Sequence, residues 1–308
     1  MIEVVKPGFF TLIQDAGRFG YQEFGMPISG ALDLDSFRLA NWLVGNSLKE
    51  AVLEVTLTGP VLKFYTDMSI GITGADMQPK LDNAPIEMYK TIPIRKGSVL
   101  SFGKLQSGCR AYVSFAGGFS LEKEMGSAST YTYAKLGGVK GRALRKGDTL
   151  PFLRNQGIGL KTVPEEFHIQ PYRLLSVRII EGPEASLFLN LELDKFYTNE
   201  YVVSSKSNRM GVRLEGVFIK SAPSSEMLSS GVVKGTIQVP SNGQPILLLA
   251  DAQTTGGYPR IGNVIQADLS LIAQQKPGDR IRFRKISLEE AHSLAYDKEM
   301  ALKKILEN

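Results

Sequence analysis

Lys96-Gly97-Ser98-Val99-Leu100-Ser101-Phe102 is one copy of a unit written three times in this chain; the others are Lys146-Gly147-Asp148-Thr149-Leu150-Pro151-Phe152 and Pro277-Gly278-Asp279-Arg280-Ile281-Arg282-Phe283. Each copy starts with a glycine turn and continues as an alternating segment that sets two apolar residues on one face of a strand. Around them lie short apolar segments divided by Gly, Pro, Asn and Asp. The 31 glycines and 15 prolines are scattered throughout, which predicts many short strands rather than alternating strand and helix. Helix periodicity is confined to a few places. Asp33 to Val44 has an acidic start and a Gly45-Asn46 stop, while Ser287 and Glu290 have the spacing of a capping box before a C-terminal helix. Further helices are expected near 184–193 and 267–275. The fold class is therefore mainly β with a few helices.

A longer echo links the two ends. Gln14-Asp15-Ala16-Gly17-Arg18-Phe19-Gly20-Tyr21 resembles Asp251-Ala252 followed by Gly256-Gly257-Tyr258, and each precedes a helical segment. Together with the repeat, this suggests two related β-rich units, with a boundary between Pro151 and about Tyr172. The division taken is 1–160 and 161–308. Glu165-Glu166 and His168 then read as linker or edge strand.

Composition narrows the function classes. With 43% hydrophobic and 22% charged residues, the 308-residue chain is neither disordered nor membrane-spanning. No apolar run approaches the roughly 20 residues of a transmembrane helix. The opening Met1-Ile2-Glu3-Val4-Val5 is strand-like and lacks the pattern of a signal peptide. Cys109 is the single cysteine, which excludes an internal disulfide and suits a reducing compartment, so a cytoplasmic location is expected. Two histidines, His168 and His292, leave no metal constellation and little room for a Ser-His-Asp mechanism. The net charge of +5 is spread over short segments. Its densest run, Val139 to Lys146, reads as a solvated basic loop or an anion contact, and no nucleic-acid module accompanies it.

What remains is recognition by polar loops. The apolar run Ile246-Leu247-Leu248-Leu249-Ala250 has the character of a buried strand. It runs into Asp251, Gln253, Thr254, Thr255, Gly256, Gly257, Tyr258, Pro259 and Arg260. Polar and conformationally special residues at the end of a buried strand suit a binding site, and a solvated loop uses the same chemistry. Arg18 offers a planar donor fork for a carboxylate or phosphate. Asp15 either braces that fork, caps a turn or takes part in binding. Ser29-Gly30 can bring backbone N–H groups to an anion at a helix start. Asn208 and Arg209 join two donors to Gly211 in a strand pattern, and Gln238 is a possible neighbour of the 251–260 loop. Such amide, guanidinium, hydroxyl and carboxylate groups suit a planar amide or carboxylate ligand.

Five of these segments carry a resemblance. They are Ile13-Gln14-Asp15-Ala16-Gly17-Arg18, Ser29-Gly30-Ala31-Leu32-Asp33, Ala40-Asn41-Trp42-Leu43-Val44-Gly45-Asn46, Asn208-Arg209-Met210-Gly211 and Gln253-Thr254-Thr255-Gly256-Gly257-Tyr258-Pro259-Arg260. In this order they resemble the KipI-antagonist family, also called allophanate hydrolase subunit 2 or the biotin-dependent carboxyltransferase family, which includes the C component of 5-oxoprolinase. The similarity runs from about residue 1 to about 285. It implies two cyclophilin-like β-barrel units in tandem. It also implies two partners, a KipI-like B component and the A component of 5-oxoprolinase, in an ATP-dependent 5-oxoprolinase where ATP acts through the complex. Alternatives within the family are the carboxyltransferase part of a biotin-dependent urea or amide carboxylase, and an antagonist that binds a KipI-like kinase inhibitor. On this resemblance Arg209, Asn208, Gln253 and Thr254 are the expected catalytic residues. Asp15, Arg18, Thr255, Gly256, Gly257, Tyr258 and Arg260 are expected to bind substrate: Arg18 and Arg209 at anionic groups, Tyr258 as a wall, Asp15 orienting Arg18. The ligand is a small amide, without nucleic acid or membrane.

Overall fold

The computed structural model describes residues 1–153, 159–221 and 227–307. The chain divides into two compact units, Met1–Phe19 with Ser29–Pro171, and Gly20–Ile28 with Tyr172 onward.

In the first unit the strands are β1 (Ile2–Lys6), β2 (Phe10–Gln14), β3 (Val52–Thr56), β4 (Val61–Phe64), β5 (Met68–Asp76) and β6 (Pro79–Leu81). They are followed by β7 (Ala84–Pro85), β8 (Thr91–Ile94), β9 (Val99–Phe102), β10 (Ser107–Phe115) and β11 (Thr149–Leu150). One sheet runs β11-β1-β4-β9-β6-β7 and the other β2-β3-β10-β5-β8. Their core holds Ile2, Val4, Leu53, Val55, Leu62, Phe64, Ile70, Ile72, Val113 and Phe115, all fully buried. Helix α1 (Leu34–Leu43) packs on β5 and β10. Asp33 caps it by accepting from the Ser36 N–H at 3.0 Å. That cap is anchored from below, because the Asp33 N–H donates to the Tyr112 hydroxyl and Tyr112 donates to buried Glu54. Burial and the Glu54 and Asp33 carboxylates push the Tyr112 phenol well up, so it stays a neutral donor.

The second unit is built on a closed barrel. Its strands are β12 (Leu175–Glu181), β13 (Tyr201–Val203), β14 (Gly211–Glu215), β15 (Ser230–Gly231), β16 (Thr236–Gln238), β17 (Ile246–Leu248), β18 (Thr255–Gly256), β19 (Arg260–Val264) and β20 (Arg280–Lys285). The barrel order is β12-β19-β16-β17-β14-β13-β20, and the parallel pair β12–β20 closes it. β15 and β18 form a separate two-stranded ribbon. Phe196, from helix α2 (Asn190–Thr198), stacks on Phe283 with ring centroids 4.7 Å apart. Tyr201 joins the same cluster. Helix α3 (Leu269–Ala273) is short, and α4 (Leu288–Leu306) starts with Ser287 accepting from the Glu290 N–H, as the capping box requires.

The mainly β reading holds, as do the helices at 33–44 and after Ser287, while the helix expected near 184–193 starts only at Asn190, after a 3-10 turn at Ala185–Leu187. The threefold repeat has a physical basis. Gly97, Gly147 and Gly278 all take positive φ, at 97, 85 and 90°. Each turn is closed by the same bond: Ser98 to the Arg95 carbonyl, Asp148 to Arg145, and Asp279 to Lys276, each at 3.1 Å. Each glycine N–H also donates to a strand carbonyl, of Phe64, Val4 and Val203 respectively. Only glycine adopts this backbone without strain. The 165–171 segment is more firmly packed than a bare linker. Residues Glu165–Phe167 form a short 3-10 turn, and His168 is half-buried with its ring stacked on Tyr89 at 3.9 Å. The Ile169 N–H donates to the Tyr89 hydroxyl, which pins the segment. Cys109 is buried and in no disulfide, and no helix among the described residues is long and apolar enough to cross a membrane.

A side chain at Gly278 meets open space, so Gly278→Ala tests the backbone conformation alone. A loss of about 1–2 kcal/mol is expected in chemical denaturation. No loss would mean that the turn does not need the left-handed residue.

Candidate functional site

The 251–260 loop starts where buried β17 ends. Asp251, 4% exposed, is held there by Arg209, 5% exposed. Arg209 Nε donates to Oδ2 at 2.8 Å and Nη2 to Oδ1 at 3.0 Å, a bidentate fork. The backbones are joined as well, since Leu249 N–H donates to the Met210 carbonyl and Asp251 N–H to the Arg209 carbonyl. The β14–β17 pairing therefore continues past both strand ends. Asn208, exposed, accepts from the Met210 N–H through its side chain at 2.8 Å and shapes the turn before Gly211.

Further along the loop, exposed Gln253 donates to the Oε1 of Gln238 at 3.4 Å. Gln238 is buried on β16 and donates to the Tyr258 carbonyl at 3.3 Å. Thr254 accepts at its carbonyl from Val232, and Thr255 and Gly256 form β18 against β15. At the end of the loop, Arg260 is paired with Glu184. Its Nε donates to Oε2 at 2.6 Å, its Nη2 donates to Oε1, and its Nη1 reaches the Gly231 carbonyl at 2.8 Å. Hydrogen bonding to the Arg260 guanidinium holds the Glu184 carboxyl below its usual range, against the opposing effect of burial. An open cavity of about 560 Å³ borders the loop, lined by Ser221, Met227, Leu228, Val239, Ser241, Gly257, Tyr258 and Pro259. Tyr258 is about half exposed on its wall.

Asp15 and Arg18 belong to the first unit, where they brace one loop. The Asp15 carboxylate accepts from the Gly17 N–H, the Ser127 and Ser129 hydroxyls and the Ala128 N–H, at 2.5–2.9 Å. Arg18 is fully buried; its Nε donates to the Glu124 carbonyl and its Nη2 to the Ser129 carbonyl, both at 3.0 Å. The two residues meet the same segment, Ser127 to Ser129, from different sides of its chemistry. Ser29 and Gly30 form a tight left-handed turn, with φ of 55 and 80°, that lies against Gly17.

The structure thus gathers Asn208, Arg209, Asp251, Gln253, Thr254, Thr255, Gly256, Gly257, Tyr258 and Arg260 along one set of connected loops. Four partner residues had little signal in the sequence. Gln238 is visible there only as a neighbour, while Glu184 and the pair Ser127 and Ser129 lie far along the chain from the residues they hold. The described residues contain no His, Cys, Asp or Glu cluster suited to a metal ion.

Comparison with known proteins places these loops in context. A family profile described as carboxyltransferase domain, subdomain A and B, matches residues 24–285. The chain is 38% identical to the C component of 5-oxoprolinase from Escherichia coli K12, over 97% of this chain and 96% of that protein. It is also 38% identical to the C component of the Haemophilus influenzae 5-oxoprolinase, over 99% and 97%. Among solved structures, the K. lactis urea amidolyase superposes with a TM-score of 0.94 at 32% identity, covering 99% of this chain and 20% of that one. The chain thus spans about a fifth of the urea enzyme.

Arg209→Met leaves the Asp251 carboxylate buried without its fork and is expected to cost about 3–5 kcal/mol by urea denaturation, much of it recovered in Arg209→Met with Asp251→Leu. Failure of the double variant to recover would show that the pair contributes more than its own neutralisation. Glu184 supplies a pH test. Its folded pKa is depressed, so its stabilisation is present above the ordinary Glu value of about 4.3 and is lost as pH falls through the lowered folded value. Glu184→Gln should flatten the stability–pH curve in that acid window and leave its slope near pH 7 unchanged.

Proposed function

The chain belongs to the family of carboxyltransferase domains with subdomains A and B, and on that footing we propose that it is one component of an ATP-dependent 5-oxoprolinase. In this reading it works with the KipI-like B component and the A component of that enzyme. The observation that carries it is the match to the C component of 5-oxoprolinase over 97% of this chain and 96% of that protein. The loop chemistry is compatible, because the Gln253 amide and the backbone of a glycine-containing loop suit a small planar amide. In the overall reaction a water oxygen joins the ring carbonyl carbon, the ring C–N bond breaks, and the nitrogen becomes the amine of glutamate. The cavity beside Tyr258 has hydroxyl and apolar lining and no cation among its described lining residues, so it does not suit a triphosphate. As part of this proposal ATP is placed with the rest of the complex, and no step in this chain passes through it.

A second reading has its own support. The superposition on the K. lactis urea amidolyase favours carboxyl transfer to a urea-like amide, which would need a biotin carrier on another protein. The two readings separate in one reconstitution. Purified chain is mixed with its cognate A and B components, and ATP-dependent glutamate release from 5-oxoproline is measured while each protein is omitted in turn. Release should fall to background when this chain is left out. Release that persists without it sinks the oxoprolinase reading, and an assembled complex that carboxylates urea with a biotin carrier instead selects the second.

A further inference from the structure

The hydrogen bonds around Gln238 determine which way its amide faces. Gln238 is 2% exposed, and its Nε2 donates to the Tyr258 carbonyl. A backbone carbonyl only accepts, so turning the amide over would set two oxygens face to face. Its Oε1 is thereby directed to Gln253, whose Nε2 donates to it. The same logic passes outward. With one N–H of its amide given to Gln238, Gln253 keeps its own Oε1 as the acceptor of an exposed side chain, beside its second N–H.

Gly256 keeps this arrangement in place. A Cβ built there would fall 2.4 Å from Gln238 Nε2 and 3.2 Å from its Oε1. Gly256 is not among the positive-φ glycines, so a side chain there acts on the Gln238 amide and leaves the backbone conformation allowed.

We infer that Gln238 is a positioning residue that turns Gln253 so that its Oε1 accepts from a ligand, and the loop thereby prefers a ligand with an amide N–H to one of the same shape without it. The inference rests on the small-amide reading above and sharpens it. The lactam N–H of 5-oxoproline and the NH2 groups of urea both satisfy such an acceptor. A lactone of the same shape does not, since it offers a ring oxygen where the N–H would be. One neutral hydrogen bond corresponds to a preference of about ten-fold.

The test is calorimetric titration of the assembled complex with 5-oxoproline and with its lactone counterpart, and with urea beside tetramethylurea. Wild-type complex should favour the N–H member of the pair it binds by about ten-fold. Gln238→Met and Gly256→Ala should bring that ratio toward one while the complex still assembles. Gln253→Glu placed in the Gln238→Met background should restore the preference, because a carboxylate is an acceptor whichever way it turns. A merely structural role for Gln238 predicts weaker binding of both ligands with the ratio kept, and that result overturns the inference, as does tighter binding of the lactone. Binding of urea with a Gln238-dependent N–H preference, with none of 5-oxoproline, would sink the oxoprolinase reading and leave the acceptor standing. Binding of neither pair overturns both.

Discussion

The buried fork between Arg209 and Asp251 is the constraint on which the candidate site depends. Both side chains are nearly without solvent access, so their desolvation is offset only by near-ideal geometry and added hydrogen bonds. The structure supplies both: two parallel N–H···O contacts and a backbone ladder running alongside them. The pair thereby extends the pairing of β14 with β17 beyond the barrel and sets where the polar loop departs. Everything from Gln253 to Arg260 hangs between this fork and a second one, Arg260 with Glu184. A loop clamped at both ends can present side chains at defined positions without strands of its own beyond the two residues of β18.

The first unit solves the same problem with neutral chemistry. Asp15 also follows a buried strand and also holds a distant loop, yet its partners are two serine hydroxyls and two backbone N–H groups. Arg18, next door, binds carbonyl oxygens where its guanidinium fork had suggested a carboxylate or phosphate. At both ends of the chain an aspartate follows a strand and holds a loop, while the partners that hold it differ. Screening by salt should matter little for either, because both are buried.

These contrasts also explain what the sequence could and could not convey. The turns at Gly97, Gly147 and Gly278 were legible because their requirement is local: a glycine two residues after the carbonyl it helps to bond. The helix starts at Asp33 and Ser287 were legible for the same reason. Glu184 gave no sign of meeting Arg260, and Ser127 and Ser129 gave none of meeting Asp15, since these contacts span tens of residues and follow no period. The stacking of His168 on Tyr89 was not legible because its partner comes from a different part of the unit. Arg18 and Arg209 stood out in the sequence as guanidinium donors within polar loops. Their acceptors, however, come from the protein itself, which the presence of an arginine cannot announce.

That last point bears on specificity. A backbone shared with a urea enzyme at a TM-score of 0.94 cannot distinguish a lactam from urea, so the choice lies with side chains and with what partner proteins bring. Both ligands carry an N–H beside a carbonyl, and the acceptor proposed at Gln253 would serve either. What separates them is the carboxylate of 5-oxoproline. The forks of Arg209 and Arg260 already face Asp251 and Glu184, and turning either toward a ligand would expose a buried or half-buried carboxylate to loss of its partner, at a cost of several kcal/mol. Recognition of the carboxylate by a partner protein avoids that cost. A site divided in this way, with the amide read here and the acid read by a partner, would make the isolated chain a poor binder and the complex a selective one.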